Sequence, residues 1–302
     1  MTDMIFGLEE TEACRRLLEL AWMEDLDDQG DVTSQAVIRE DARGEAVLVA
    51  RQSGVLAGLP AAELVFATLD ATIRWQTYQT EATAIQAGDQ LARVVGPLRS
   101  ILTGERTALN FIQHLSGIAS LTRRYVEAVA GLPCQILDTR KTLPGWRVLA
   151  KYAVRCGGGQ NHRRGLYDGI LIKDNHLAGL GSVSFHQQIE EALRRVRDWR
   201  QLSPNESRQR LPLEIEVDTL DQLDVALRCQ PDIILLDNMN LDELREAVTR
   251  RNRLVPGVLL EASGGITLDN VRSVAMTGVE RISIGALTHS ASALDIGLDY
   301  LS

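Results

Sequence analysis

Cations concentrate in one stretch of an otherwise acidic chain. The formal net charge is −9, yet residues 138–176 hold eight Lys or Arg against three Asp. This asymmetry indicates either a solvated basic helix or a pocket for anions. Two guanidinium forks and two ammonium groups near strand ends would suit a substrate with several carboxylates or phosphates. The candidate side chains are Arg140, Lys141, His162, Arg163 and Lys173.

Simple solvation is the competing interpretation of these cations. It is strongest for Arg147, Lys151 and Arg155, which lie on a predicted helix, and it also applies to Arg163. It is weakest for Lys173, because a lysine directly after the apolar run GILI is expected at the end of a buried strand. The sequence therefore places Lys173 in a site more firmly than any other cation.

Two carboxylates are expected among the cations. Glu216 lies near the end of the apolar run LEIEV, and Asp237 ends the run IILLD. They either neutralise neighbouring cations or face sugar hydroxyls, a Mg²⁺ ion carried by pyrophosphate, or developing positive charge. Glu214 is expected on the other face of its strand or pointing outward. No compact all-oxygen cage is evident, so no dedicated metal site is predicted.

Two glycine-containing turns complete the candidate site. Ser263-Gly264-Gly265 follows VLLEA and precedes a predicted helix, and Gly285-Ala286 follows RISI. Backbone N–H groups at such turns bind phosphate, and the last strands of a barrel commonly supply such a site. Strand-to-helix turns also need glycine for conformational reasons, so the turns alone do not decide the question.

The pattern along the chain indicates which elements carry these residues. Segments 45–51 and 73–79 alternate like strands, and a long helix is predicted from Gly104 onward. From about residue 132, six short apolar runs alternate with helical segments, which is typical of parallel strands buried on both faces. Because the polar candidates fall near the carboxyl ends of these runs, we predict an α/β barrel whose mouth holds the active site.

Composition excludes several other classes of protein. The acidic balance disfavours general binding to nucleic acid, and no apolar run is long enough to span a bilayer. The N-terminus lacks the basic region and cleavage site of a secretory signal. The four cysteines are far apart and form no CxxC pair, which favours a reducing cytoplasm over a zinc site or a disulfide framework.

Several motifs resemble the quinolinate phosphoribosyltransferase family. The resemblance follows the family's order over almost the whole chain and is weakest at residues 200–212. The motifs are EDLDDQGDVTS (24–34), GERTALNFIQHLSGIAS (104–120), DTRKTLPGWR (138–147), KYAVRCGGGQNHRRGLYDGILIKDNH (151–176), EIEVD (214–218), LLDNM (235–239) and EASGGI (261–266).

The resemblance implies an architecture. It consists of an N-terminal α/β sandwich domain, residues 1–112, followed by an incomplete seven-stranded α/β barrel, residues 113–286. The tail, residues 287–302, returns to the first domain. The resemblance also implies a homodimer in which each barrel mouth faces the partner's N-terminal domain, so that Arg106 reaches the other subunit's site.

The resemblance also implies roles for the candidate residues. Cations at the mouth would grip the two quinolinate carboxylates and the phosphates of phosphoribosyl pyrophosphate, while Glu216 and Asp237 would face the ribose and magnesium-pyrophosphate. The implied catalytic residues are Lys141, Lys173, Glu216 and Asp237. The implied substrate-binding residues are Arg106, Thr139, Arg140, Lys141, His162, Arg163, Lys173, Glu216, Asp237, Ser263, Gly264, Gly265, Ile284, Gly285 and Ala286. The roles of His176 and His289 stay open.

The implied chemistry is a decarboxylating phosphoribosyl transfer that forms nicotinate mononucleotide, with Mg²⁺ carried by phosphoribosyl pyrophosphate. Three alternatives are open at this point. One is a paralogous barrel family linked to molybdenum transport, although the intact CGGGQNHRRGL run favours the quinolinate branch. The second makes Lys173 the Schiff-base lysine of an aldolase-type barrel. The third is a regulatory protein that binds a phosphorylated ligand without catalysis.

Overall fold

The structure is a computed structural model that describes residues 6–181 and 184–301. The chain divides into two compact units that interleave along the sequence. The first unit comprises residues 1–124, 141–160 and 285–302, and the second comprises residues 125–140 and 161–284. The predicted domain boundary after residue 112 stays a prediction.

The described residues form twelve strands and twelve helices, which are numbered here in chain order. The strands are β1 (Arg43–Ala50), β2 (Gly54–Val55), β3 (Arg74–Thr77), β4 (Ala84–Ile85), β5 (Gln90–Pro97), β6 (Gln135–Leu137), β7 (Ile170–Ile172), β8 (Leu213–Val217), β9 (Ile233–Asp237), β10 (Leu259–Ser263), β11 (Arg281–Ser283) and β12 (Ile296–Tyr300). The helices are α1 (Leu8–Asp25), α2 (Val32–Val37), α3 (Leu59–Leu69), α4 (Leu98–Ala128), α5 (Arg147–Cys156), α6 (Asp174–Ala178), α7 (Phe185–Leu202), α8 (Glu206–Gln209), α9 (Leu220–Cys229), α10 (Leu241–Leu254), α11 (Val271–Ala275) and α12 (Ala286–His289).

An antiparallel sheet forms the centre of the first unit. Its strand order is β12-β1-β5-β3, so the last strand of the chain pairs with the first. The two segments predicted as strands from their alternating residues, 45–51 and 73–79, correspond to β1 and β3. The predicted long helix is α4, which begins six residues earlier than expected, at Leu98. Its predicted apolar face is buried, with Ile112, Leu115 and Ile118 fully inaccessible to solvent.

A parallel sheet forms the second unit. Its strand order is β6-β11-β10-β9-β8-β7, and these six strands are the six apolar runs that the sequence predicts. Each strand carries at least one buried apolar residue, and Ile234 and Ile282 are fully buried, as expected for strands covered on both faces. Among the described residues, no pairing joins β6 to β7, so the barrel is incomplete.

The number of strands differs from the expectation. The resemblance implies seven barrel strands, whereas six are present in the sheet over the described part of the chain. In the long connection between β6 and β7, Gln160 forms a single β bridge, which is too short to count as a strand. The parallel sheet therefore has six strands and not seven. The predicted incomplete α/β barrel is confirmed, with one strand fewer than expected.

No helix of the described residues is long and apolar enough to cross a membrane.

Candidate active site

Two neighbouring arginines of the second unit, Arg140 and Arg163, form a cluster of positive charge that is called the cationic seat. Arg140 follows β6 and Arg163 lies in the loop before β7, and both are half-buried. Burial lowers the pKa of Arg163, and the positive charge of Arg140 lowers it further. The guanidinium of Arg163 donates to the Gly169 carbonyl at 3.1 Å, and no carboxylate among the described residues makes an ion pair with it. A bound anion would reduce the electrostatic repulsion between these two adjacent positive charges.

The loop that carries Arg163 is anchored by a buried carboxylate. Asp138, which directly follows β6, is fully buried. It accepts hydrogen bonds from the Asn161 side chain at 2.6 Å and from the His162 backbone N–H at 2.9 Å. Charge-assisted bonds to backbone and amide donors are stronger than neutral ones, so Asp138 fixes the loop to the end of β6. The sequence places Asp138 at the carboxyl end of an apolar run, but it does not indicate this anchoring role.

Lys173 and Glu216 form an ion pair at the ends of β7 and β8. The Nζ of Lys173 contacts the carboxylate of Glu216, whose side chain is 13% exposed against 42% for the lysine. The N–H of Lys173 donates to His176 Nδ1 at 2.9 Å, so His176 helps to fix the first turn of α6. Because a Schiff base requires a neutral amine, an ammonium group held against a carboxylate argues against the aldolase alternative.

Further carboxylates line the same edge of the sheet. Asp218 directly follows β8 and Asp237 ends β9. Burial raises the pKa of Asp218, and the negative charges of Asp237 and Asp174 raise it further. The sequence analysis missed Asp218 and Asp174. Asp218 directly follows β8, and Asp174 follows Lys173 just after β7, so their positions next to strand ends could have identified both. Asp174, Asp218 and Asp237 therefore place carboxylate oxygens near Lys173. The edge of the sheet that carries these three carboxylates is called the acidic rim.

A strained asparagine connects two predicted site segments. Asn238 has φ +53°, a left-handed conformation that is uncommon outside glycine. Its side chain donates to Asp237 at 2.8 Å, and its N–H donates to the Ser263 carbonyl at 2.9 Å. Gly264 has φ +90°, and a Cβ at this position would lie 2.2 Å from Asn238 Oδ1. The turn after β10 therefore requires glycine and is coupled to the Asp237 carboxylate.

The remaining predicted residues of the second turn lie in the first unit, except Ile284. Ile284 is buried, and its N–H donates to the Leu137 carbonyl at 2.9 Å. Within the first unit, the side chain of Lys141 lies over Gly285, where an added Cβ would be 2.9 Å from Lys141 Cδ. Thr288 donates to the Lys141 carbonyl at 2.7 Å. The structure thus brings the lysine and the glycine turn together, as an anion site would need.

The remaining residues that the sequence singled out differ in their exposure to solvent and in their contacts. Arg106 is exposed on α4, and Thr139 is half-buried. The predicted solvated helix, α5, is largely inside the first unit, since Lys151 is 2% exposed and Arg155 forms an ion pair with Glu10 at 2.8 Å. The solvation interpretation was wrong for these two cations, because α5 is buried on more of its circumference than its charges suggested. His289 contacts Ser290 at 2.6 Å.

His162 points into the barrel and not towards solvent. Its Nε2 lies 3.0 Å from Glu214 and 3.4 Å from Glu261, and its side chain is 11% exposed. Glu261 is fully buried and also accepts from Arg281 at 2.7 Å. The expectation for Glu214 was wrong: it is 4% exposed and shares the inner face of β8 with Glu216, because residues two apart lie on the same face.

His162, Glu214 and Glu261 have the residue types of a metal site. Among the described residues they are the one set of three such groups whose ligand atoms converge within 4.8 Å. The hydrogen bonds exclude metal ligation by His162, because its Nδ1 accepts the Arg163 N–H at 2.8 Å. A neutral histidine with Nδ1 as acceptor carries its proton on Nε2, the atom that a metal would need.

An incomplete α/β barrel with cations, carboxylates and a glycine turn at the carboxyl ends of its strands defines an enzyme for anionic, phosphorylated substrates. Two family models match the chain. Quinolinate phosphoribosyl transferase, N-terminal domain, matches residues 31–116, and quinolinate phosphoribosyl transferase, C-terminal domain, matches residues 118–299. The chain belongs to the quinolinate phosphoribosyltransferase family.

Similar proteins agree with the family models. The chain is 46% identical to a nicotinate-nucleotide pyrophosphorylase [carboxylating] of Mycobacterium leprae, over 96% of this chain and 98% of the relative. It is 40% identical to a probable nicotinate-nucleotide pyrophosphorylase [carboxylating] of Bacillus subtilis, over 94% and 92%. A solved structure of the enzyme from Ehrlichia chaffeensis has a TM-score of 0.85 at 36% identity, covering 95% of this chain and 98% of that one.

These comparisons confirm the predicted family and the predicted fold class. Relatives of the chain are named as pyrophosphorylases or phosphoribosyltransferases, so the chain is a transferase enzyme. The regulatory, non-enzymatic alternative is therefore wrong. The roles of individual site residues stay predictions.

Proposed function

We propose that the chain catalyses the reaction of quinolinate with phosphoribosyl pyrophosphate, which yields nicotinate mononucleotide, pyrophosphate and CO2 in de novo NAD biosynthesis. The observation that carries the proposal is the cationic seat of Arg140 and Arg163, together with the ion pair of Lys173 and Glu216 in the same unit, in a chain of this family. Quinolinate presents two adjacent carboxylates, which complement two adjacent cations.

The cations position the two substrates against mutual repulsion. Quinolinate and phosphoribosyl pyrophosphate are both polyanions, so binding them side by side requires compensating positive charge. Arg163 has its guanidinium bonded only to a carbonyl among the described residues, which leaves donors for a substrate carboxylate. Lys173 stands on the same strand edge and balances Glu216.

The carboxylates act on the sugar. As the bond from ribose C1 to pyrophosphate breaks, C1 gains positive charge, which Glu216 stabilises electrostatically. The lone pair of the quinolinate nitrogen then forms the bond to C1. The resulting pyridinium withdraws the electron pair of the bond to the 2-carboxylate, CO2 leaves, and the ring carbon takes a proton from solvent. No residue forms a covalent bond to either substrate.

The glycine turn after β10 holds the 5′-phosphate of the sugar. Gly264 and Gly265 both have positive φ, which turns successive backbone groups into a tight curve. Lys141, which lies over Gly285 within the first unit, is a second proposed phosphate-binding group. Backbone N–H groups and an ammonium group are the donors that phosphate prefers.

Mg²⁺ fits the acidic rim as an ion that arrives with pyrophosphate. Asp218, Asp237 and Asp174 repel one another electrostatically, and a hard cation with oxygen ligands would relieve that repulsion. Among the described residues, rim carboxylates do not converge into a set of three ligands within 4.8 Å, so they form no preformed cage. Asp237 and Glu216 would hold the ion, which would neutralise charge on the leaving group when bound.

Two further statements belong to the proposal. The chain acts as a homodimer in which Arg106, exposed on α4, reaches the partner's site. It acts in the cytoplasm, which the four free cysteines support because oxidising compartments favour disulfides.

A direct assay tests the function. Quinolinate labelled at its 2-carboxylate carbon should release labelled CO2 with equimolar nicotinate mononucleotide, only when phosphoribosyl pyrophosphate and Mg²⁺ are present. Addition of EDTA should stop the reaction, since pyrophosphate is a poor leaving group without the cation. The matched control is quinolinate labelled at the 3-carboxylate, which should release no label. Failure to form the mononucleotide under these conditions would overturn the proposal.

The Gly264→Ala variant should lose phosphoribosyl pyrophosphate binding. Alanine at φ +90° is strained by about 1–3 kcal/mol, and its Cβ would also displace Asn238, which holds Asp237. We expect kcat/KM for phosphoribosyl pyrophosphate to fall about tenfold or more, since 1.4 kcal/mol corresponds to a factor of ten. Steady-state kinetics measure this fall.

The control for Gly264→Ala is Gly88→Ala. Gly88 has a similar φ of +94°, but no atom lies within 4 Å of an added Cβ. This variant carries the backbone strain without the clash, so it should lower the melting temperature while leaving kcat/KM near the wild-type value. Equal kinetic losses in the two variants would contradict a specific role for the turn.

A further inference from the structure

A buried network of four charged or titratable side chains lies beneath the loop that carries Arg163. Glu214 on β8 and Glu261 on β10 contact the same His162 nitrogen, and Glu261 also binds Arg281. Glu214, Glu261 and the histidine side chain are 5%, 0% and 11% exposed. Burying two carboxylates in this way is costly unless their partners are well placed. None of the steps proposed above uses Glu214 or Glu261.

The hydrogen bonds of His162 determine which way its ring faces. Burial lowers the pKa of His162, but its contacts with Glu214 and Glu261 outweigh burial and raise the pKa to about 9. A second ring proton would have to sit on Nδ1, where the Arg163 N–H already donates at 2.8 Å. In this arrangement Nδ1 therefore acts as an acceptor, while Nε2 carries a proton and donates to Glu214 at 3.0 Å.

Glu214 and Glu261 differ in their surroundings. Burial raises the pKa of Glu261, but its contacts with His162 and Arg281 outweigh burial and lower it. Burial raises the pKa of Glu214, and its Oε1 has no hydrogen-bond partner among the described residues. Glu214 thus contacts the ring through one oxygen, which serves as the hydrogen-bond acceptor for Nε2.

We propose that Glu214 is a positioning residue for quinolinate binding, which acts through the His162 ring on the backbone of Arg163. The contact at Nε2 fixes the ring, the ring fixes the Arg163 N–H through Nδ1, and Asp138 fixes the other side of the loop. The proposal rests on the proposed function, because Arg163 is taken to bind a quinolinate carboxylate. Glu214 supports the loop that carries Arg163 from inside the barrel and does not itself contact substrate.

The test compares two substitutions at one position. Glu214→Met removes the acceptor and should raise KM for quinolinate about tenfold or more, while KM for phosphoribosyl pyrophosphate changes less than about twofold. Glu214→Gln keeps an oxygen acceptor and should return KM for quinolinate to within about threefold of wild type. A purely structural role would instead lower the melting temperature and kcat without a selective change in one KM.

A double-mutant cycle shows whether the effect passes through His162. His162→Asn keeps an acceptor for the Arg163 N–H but is too short to reach Glu214. If Glu214 acts only through the ring, adding Glu214→Met to His162→Asn should raise KM for quinolinate by less than about twofold over His162→Asn alone. Multiplying effects would overturn the proposal, as would a Glu214→Gln variant as impaired as Glu214→Met. Should Glu214→Met not fold, the cycle can use Glu214→Ser, which also removes the carboxylate.

A matched control excludes a general effect of altering buried carboxylates. Glu81 in the first unit also has a pKa raised by burial, and it accepts from Tyr152 and from the N–H groups of Gly58 and Leu59. Glu81→Met should lower the melting temperature and leave KM for quinolinate unchanged. Wild-type turnover is measured first, so a failure of the proposed function is seen as an absent reaction, before any variant is compared.

Discussion

An Arg106→Ala subunit and a Lys173→Ala subunit, each inactive in its own homodimer, should regain activity when they are mixed. In the proposed dimer, Arg106 serves the partner's site, whereas Lys173 serves the site of its own barrel. Lys173 is paired with Glu216 within the second unit, which places it firmly in that barrel. In one mixed dimer, both substitutions then fall in the same site and the other site is intact, so about half of the wild-type activity per mixed dimer should return.

The control separates complementation from simple recovery. A mixture of Lys173→Ala and Glu216→Gln subunits should stay inactive, because both substitutions affect the barrel of their own subunit and every site keeps one lesion. Native mass spectrometry should establish that subunits have exchanged in both mixtures. If the first mixture stays inactive despite exchange, Arg106 does not serve the partner's site and the shared-site proposal is wrong.

The strand ends were predictable because local pattern decides them. Lys173 and Asp237 each end an apolar run, and a run buried on both faces must be a strand whose end meets the other strand ends at one edge. The ion pair of Lys173 with Glu216 and the coupling of Asp237 to the turn after β10 follow from this geometry. The sequence therefore predicted which polar residues lie at this edge of the sheet, but not which of them contact one another.

The interior of the barrel was not predictable in the same way. His162 lies in a cationic loop, and its local sequence indicates an outward role, but its ring contacts residues of β8 and β10. Those strands are not neighbours in the sheet, since β9 lies between them. Only the curvature of the sheet brings Glu214 and Glu261 within reach of one ring, and curvature has no signature in local periodicity.

The buried cations of α5 illustrate a second limit. Charge predicts exposure on average, yet Lys151 is 2% exposed, and Arg155 pairs with Glu10 from α1, more than a hundred residues away. A long-range partner overrides the local tendency of a charged side chain, because pairing offsets the cost of burial. A sequence without an alignment gives no indication of such partners.

Discrimination against nicotinate should be strong in the wild-type enzyme. Nicotinate lacks the 2-carboxylate, so its binding would leave part of the cationic seat of Arg140 and Arg163 without an anion. Burial and mutual repulsion already lower the pKa of Arg163, which shows that the seat is unfavourable for charge until a partner binds. Sites built around polar partners reject analogues that lack them by about 10⁴-fold, because the groups left unpaired have lost their water.

We therefore expect kcat/KM for nicotinate to be at least about 10³-fold below that for quinolinate, measured by formation of nicotinate mononucleotide from each acid. The Arg163→Ala variant should lose activity with quinolinate much more than with nicotinate, so that the ratio of the two kcat/KM values falls. Arg164→Ala is the matched control, since Arg164 is the exposed neighbour in the same loop, and it should leave the ratio unchanged. Comparable turnover of the two acids by the wild-type enzyme would contradict the assignment of the seat, because a single carboxylate would then satisfy it.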